Sequence, residues 1–171
     1  SGFVPLAAMV NLPGLFGSNA EFDAKGWPVM KPIIDAEFDK RGMKVLGIYH
    51  YPAQVVWGAK GAPPLKSLAD LKGKTVAASS PGTAPYFTLA WFLKKNGLSV
   101  KDVTVVNLEP GPAAQAFVAG QNDAAMSYEP YLSTVRANPQ AGKIIATTLD
   151  YPMIMDTFGC TPKFLAENPK A

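Results

Sequence analysis

Apolar and polar positions follow two different periods along this chain, and the changes of period mark its elements. Phe3 to Val10 is an apolar run of strand length, followed by a turn-rich stretch, Asn11 to Ser18, that holds Pro13, Gly14 and Gly17. Asn19 to Gly42 reads as mostly helical: Ser18 or Asn19 is the N-cap, Gly26 to Pro28 interrupts it, Ile33, Ile34 and Phe38 share a face, and Gly42 is the stop. Met43 to Tyr49 and Gln54 to Ala59 are strands separated by the Tyr51-Pro52 break. Gly61 to Pro64 is a loop, because consecutive prolines remove two amide donors.

From Ser67 the pattern becomes regular. Ser67 to Asp70 caps a one-turn helix that Gly73 ends. Strand Lys74 to Ser79, helix Thr83 to Asn96, strand Val103 to Leu108, helix Pro112 to Ala119 and strand Asp123 to Ser127 follow, with Gly97 and Gly120 as helix stops. A helix from Glu129 to about Ala137 and a strand from Lys143 to Thr147 complete the series. Strands and helices alternating over short connections predict an α/β fold, a parallel sheet covered by helices. After Tyr151, Met153 to Gly159 reads as a strand leaving this domain, and Pro162 to Asn168 begins a terminal helix.

Composition narrows the class of protein. With 48% hydrophobic and 17% charged residues in 171, the chain is neither disordered nor collagen-like. Its best apolar run is far short of the roughly 18 residues a membrane-spanning helix needs. The net charge of +3 is mild, and the lysines between Lys60 and Lys101 are interleaved with apolar residues, a solvated face rather than a nucleic-acid stripe. Cys160 and His50 are the sole cysteine and histidine, so neither an intrachain disulfide nor a Cys/His metal set is available. The chain opens Ser-Gly-Phe, so a signal peptide is expected to have been removed or to lie outside it.

One segment stands out chemically, Val76-Ala-Ala-Ser-Ser-Pro-Gly-Thr-Ala-Pro-Tyr86. It is a strand, a tight turn and a helix start, where unpaired amides and the positive end of the helix dipole converge on a place for an anion. Ser79, Ser80 and Thr83 add hydroxyls, with Gly82 in the turn, at the carboxyl end of a strand where open α/β sheets place ligands. Ordinary Ser and Thr capping is the competing reading of the same residues. The segment is no P-loop, dinucleotide fingerprint or nucleophile elbow, and no cofactor is expected. Tyr128 and Glu129 follow strand Asp123 to Ser127 and are expected at the same edge, the carboxylate to accept from a ligand N–H and the ring to stack. Glu129 could equally open the following helix, with Pro130 in its first turn. His50, between Tyr49 and Tyr51 and near Trp57, lacks an identifiable orienting partner and reads as structural. Cys160 reads as a small buried residue. No catalytic constellation emerges, and an enzyme is not expected.

Taken in order, four motifs form a recognisable series: Leu68-Ala-Asp-Leu-Lys-Gly-Lys-Thr-Val-Ala followed by Ser-Pro-Gly-Thr; Asn96-Gly-Leu-Ser-Val-Lys-Asp-Val-Thr-Val-Val-Asn; Ala119-Gly-Gln-Asn-Asp-Ala-Ala; and Tyr128-Glu-Pro-Tyr. From about Leu65 to Asn168 the chain resembles the solute-binding proteins of ABC importers of the nitrate, sulfonate, taurine and thiamine-precursor group. That resemblance implies a type II periplasmic-binding-protein fold, two α/β lobes joined by crossover strands with solute held between them. It divides the chain into a partial first lobe at 1–46, a crossover segment at 47–73, a second lobe at 74–150, and a return crossover with the start of a terminal helix at 151–171. The chain is thus expected to be a fragment that lacks much of lobe one.

The resemblance also implies a non-enzymatic, periplasmic or otherwise extracytoplasmic receptor. Its partners would be a small polar or anionic organic solute, sulfonate-, taurine- or pyrimidine-like, and an ABC permease in the inner membrane, with no nucleic acid. It places the anion at Ser79, Ser80, Gly82 and Thr83, an acidic cleft edge at Tyr128 and Glu129, and Tyr51, Gln54 and Trp57 on the hinge side. A carboxylate there suits a zwitterion or heteroaromatic ring better than a bare anion. Leu12-Pro-Gly-Leu-Phe-Gly-Ser18 is similar to the TRAP-type solute receptors, yet Ala77, Ala78 and Ser79 stand where those receptors usually carry an Arg. The effector domain of LysR-type regulators, which shares the two-lobed architecture, is the other alternative.

Overall fold

The computed structural model describes residues 15–50, 53–61, 63–149, 151 and 155–170, so the strand expected at Phe3 to Val10 lies outside the described residues. The chain divides into a split unit, made of 1–51 and 151–171, and a central unit, 52–150.

In the split unit, α1 (Asn19–Glu21) runs through a π turn (Phe22–Gly26) into α2 (Trp27–Asp39). The interruption expected at Gly26 to Pro28 is therefore absorbed within a continuous helical run: the π turn takes up an extra residue, and Pro28 follows it in the second position of α2. Ser18 caps α1 by accepting from the Glu21 amide, and Gly42 adopts φ +65° after α2. Strand β1 (Lys44–His50) pairs antiparallel with the late strand β7 (Met155–Cys160), and α6 (Pro162–Glu167) follows with Thr161 as its cap. Phe22, Met30, Ile34, Phe38 and Met155 form the buried core of this unit.

The central unit contains β2 (Val55–Ala59), a 3-10 turn (Leu68–Leu71), β3 (Thr75–Ala78), α3 (Ala84–Lys95), β4 (Thr104–Asn107), α4 (Pro110–Val118), β5 (Ala124–Ser127), α5 (Leu132–Arg136) and β6 (Gly142–Thr147). The sheet order is β4-β3-β5-β2-β6. β3 is parallel to β4 and to β5, as the alternating pattern requires. β2, the strand ahead of that series, runs the other way. It inserts antiparallel between β5 and β6, so the sheet is mixed. The reason is visible in its residues: Val55, Val56, Trp57 and Gly58 are all buried, which only an interior strand covered on both faces can satisfy.

The two faces carry separate cores. Val56, Val76, Ala78, Ala124 and Met126 pack with Leu89, Phe92 and Leu93 of α3. Val55, Trp57, Ala77 and Ala125 pack with Phe117 of α4 and with Leu132 and Val135 of α5. Alternation along each strand thus decides which helix every side chain meets. The carboxyl ends of β3, β4 and β5 and the start of β2 share one edge of the sheet.

Candidate functional site

At that edge β3 ends with Ala78 and the chain turns through Ser79, Ser80, Pro81 and Gly82 into α3. Gly82 has φ +95°, a conformation that makes glycine the favoured residue here. Thr83 occupies the N-cap position in extended conformation, yet its side chain makes no capping hydrogen bond. Instead both the Thr83 amide and its hydroxyl donate to the Ser80 carbonyl, at 3.2 and 2.8 Å. Pro85 has no N–H, and the Ala84 and Tyr86 amides have no acceptor among the described residues. Nor does the half-buried Ser80 hydroxyl make a hydrogen bond there. Elsewhere hydroxyl residues do cap: Ser18, Ser99 and Thr161 accept from the amides of Glu21, Lys101 and Phe164. Ordinary capping is thus excluded for the start of α3, which keeps two amides and a hydroxyl open to an acceptor.

Ser79 is 1% exposed, and its hydroxyl donates at 3.4 Å to Oε2 of Glu109, the residue just before α4. Sequence reasoning missed Glu109 because it expected α4 to begin at Pro112. The helix begins at Pro110, a proline at the first helical position, and this places Glu109 at the N-cap. Buried Ser127, the neighbour of Ser79 on continuing the β3/β5 register, donates to the Pro110 carbonyl at 3.2 Å and ties the start of α4 to the same edge.

Tyr128 and Glu129 leave the end of β5 as expected, but Glu129 is already engaged. Its carboxylate pairs with the Arg136 guanidinium and accepts from the Ser133 hydroxyl at 3.3 Å, so it is held by the helix that follows it. That helix, α5, begins only at Leu132, three residues later than its expected opening at Glu129. The Tyr128 ring meets Tyr131 edge-on at 5.9 Å between centroids. Tyr131 in turn covers Gly111, where a Cβ would lie 3.1 Å from the ring.

Gln54 extends the β2 ladder by one residue. Its amide donates to the Thr148 hydroxyl at 2.8 Å and its carbonyl accepts from the Thr148 amide at 2.9 Å. The β2/β5 register continues Gln54 opposite Tyr128, and alternation with Val56 puts it on the α3 face. It is 2% exposed, yet its carboxamide makes no hydrogen bond among the described residues. Trp57 does not join this edge. As a neighbour of Ala125 in the middle of the sheet it is buried in the core against α4 and α5, because alternation turns it away from the face of Val56. Tyr51 lies outside the described residues.

His50 belongs to the split unit, where its Nε2 meets Asp23 Oδ1 at 3.1 Å and its ring stands edge-on to Phe22. Among the described residues no group of three His, Cys, Asp or Glu is placed to hold a metal ion, and no helix is long and apolar enough to cross a membrane. A cavity of about 440 Å³, lined in part by Lys60, Asn122 and Gln140, opens at the opposite, amino-terminal end of β3 and β5.

The model of the family described as NMT1/THI5 like matches residues 38–171, more than half of the chain, and the protein belongs to that family. A binding protein of Brucella abortus (strain 2308) is 31% identical over 109 residues, 62% of this chain and 34% of its own length. The crystal structure of the periplasmic aliphatic sulphonate binding protein SsuA from Escherichia coli superposes with a TM-score of 0.60 at 27% identity, covering 81% of this chain and 47% of that one. A TRAP periplasmic solute binding protein from Xanthobacter autotrophicus Py2, solved with bound β-D-galacturonate, superposes with a TM-score of 0.62 at 19% identity, covering 96% of this chain and 50% of that one; it shows the fold alone. The fold is that of the type II periplasmic solute-binding proteins. The chain spans about a third of the Brucella protein and about half of the two solved ones.

Proposed function

We propose that this chain is part of an extracytoplasmic, non-enzymatic solute receptor that captures a small anionic organic solute of the sulfonate class and delivers it to an ABC permease in the inner membrane. The observation that carries this reading is the uncapped start of α3. The Ala84 and Tyr86 amides, with the Ser80 hydroxyl beside them, are donors without acceptors among the described residues, at the positive end of a helix of 12 residues. A sulfonate has three acceptor oxygens and one negative charge, which this donor set matches without an Arg. Membership of the NMT1/THI5-like family supports a solute-binding role, and the likeness to a sulphonate-binding protein favours this class of solute. Ser79, Ser80, Gly82 and Thr83 form the anion turn, while Gln54 and Tyr128 flank it along the edge.

The test is Ala84→Pro in the full-length protein. Thr83 is extended, the conformation favoured before proline, and proline is favoured at the first helical position. The variant therefore removes one donor while α3 stays intact. Isothermal titration with ethanesulfonate is expected to show at least a tenfold weaker Kd, with the melting temperature of the unliganded protein unchanged. Equal binding by the variant and the parent would refute the assignment.

A further inference from the structure

The lysines that the sequence interleaves with apolar residues are gathered by the fold of the central unit. Lys60 follows β2, Lys74 precedes β3, Lys101 precedes β4 and Lys143 lies at the start of β6. Because β3, β4 and β5 are parallel and β2 ends opposite the start of β6, all four lie at the amino-terminal end of the parallel strands, away from the turn into α3. None of the four is in an ion pair among the described residues, whereas Lys25, Lys31, Lys40, Lys44 and Lys163 of the split unit all face carboxylates. The carboxylates at the same end, Asp70, Asp102 and Asp123, accept from backbone N–H groups instead. Unpaired positive charge collected at one end of a domain attracts anions to it.

The cavity of about 440 Å³ opens at this end, and Lys60, Thr75, Gln121, Asn122, Asp123 and Gln140 line it. Asn122 is 7% exposed, yet its Nδ2 makes no hydrogen bond among the described residues. A buried amide is rarely left unmatched, and an acceptor held in the cavity supplies the missing group. Lys60 donates to the Pro139 carbonyl at 2.5 Å, which leaves two of its three N–H groups for the same acceptor. Asp123 is turned to Thr75, whose amide and hydroxyl both donate to its Oδ2, and Lys60 with Lys74 outnumbers its charge. The unmatched groups are thus donors, and they call for an oxyanion. The volume is far larger than a bare oxyanion fills, since a water molecule's share of the liquid is about 30 Å³. Gln121 and Gln140 complete the lining with amides that both donate and accept, the complement of hydroxyl groups.

We infer that this cavity is a second small-molecule site, which takes a sugar phosphate, its phosphate at Lys60 and Asn122 and its hydroxyls along Gln121 and Gln140. The site lies at the opposite end of the sheet from the proposed solute site and does not depend on that reading.

The experiment is isothermal titration of the full-length protein with glucose 6-phosphate, and separately with glucose and with inorganic phosphate. Glucose 6-phosphate is expected to bind saturably and one to one, at least tenfold more tightly than either of its parts. Lys60→Met, which removes the charge, and Asn122→Asp, which replaces the Nδ2 donor by an acceptor of the same shape, are each expected to weaken it at least tenfold. If Asn122→Asp does not fold, Asn122→Ser serves, and it is expected to weaken binding in the same direction. Saturating ethanesulfonate is expected to leave the titration unchanged. Absence of saturable binding, or equal binding by either variant and the parent, overturns the site, since lysines elsewhere would then account for any attraction. Displacement by ethanesulfonate overturns it too, because the phosphate would then lie at the start of α3. Inorganic phosphate bound as tightly as the ester overturns the assignment of a sugar phosphate.

Discussion

Asp123 and Thr75 hold the amino ends of β5 and β3 together through a reciprocal set of hydrogen bonds. The Thr75 amide and hydroxyl donate to Asp123 Oδ2 at 2.9 and 2.8 Å, and the Asp123 amide donates back to the Thr75 hydroxyl at 3.0 Å. The backbone donor on Thr75 first, and then its hydroxyl, hold the Asp123 carboxyl below its usual 3.8 against the opposing effect of partial burial. A depressed carboxyl pKa contributes stability above the unfolded value and loses it as the pH falls through the folded one. Asp123→Asn is therefore expected to cost on the order of 2 kcal/mol at neutral pH, the scale of hydrogen bonds to a charged group. Urea unfolding followed from pH 7 downward checks this, since the gap between parent and variant must close in strongly acid solution. Arg136 supplies a contrast. Its pairing with Glu129 is more than half exposed on the arginine side, so Arg136→Ala is expected to change the urea midpoint little.

The elements follow from the residues that bound them, and the misplaced boundaries have local causes. Gly97 and Gly120 end α3 and α4 with positive φ, which a sequence displays directly. The start of α4 moved two residues earlier because Pro110 is as good a first helical residue as Pro112. Whether Thr83 caps α3 could not be read from its identity, since the same hydroxyl is equally able to reach the Ser80 carbonyl. Gly142 marks a demand of packing between elements: a Cβ there would lie 2.4 Å from the Gly58 carbonyl oxygen across the strand pair and 2.5 Å from the Phe117 ring. Gly142→Ala is thus expected to destabilise the protein by about 1–3 kcal/mol through overpacking. Equilibrium denaturation measures this, and a neutral effect would show that β2 and β6 can separate at no cost.

At the scale of the whole molecule, the two units differ in how their backbone is satisfied. The central unit is one continuous segment, 52–150, whose five strands pair among themselves and whose two faces each carry a core. The split unit draws on both ends of the chain, and among the described residues its sheet pairs two strands, β1 and β7. Two-stranded sheets depend on their packing for stability. Hydrogen exchange is therefore expected to be faster for the amides of β1 and β7 than for those of β3 and β5. A peptide of residues 52–150 is expected to fold alone with a cooperative melt, and a non-cooperative one would show that the central unit needs the split one.

The sequence by itself determined the succession of elements from Ser67 onward, the glycine stops, the α/β class and the turn at Ser79 to Thr83, because periodicity and turn chemistry are local properties of consecutive residues. Only the tertiary structure decided that β2 divides β5 from β6, that Trp57 is core, that Glu129 is held by Arg136, and that Glu109 accepts from Ser79. Each of these depends on which distant segment a side chain meets, and that is set by the order of strands and the face each residue takes, neither of which is written in spacing along the chain.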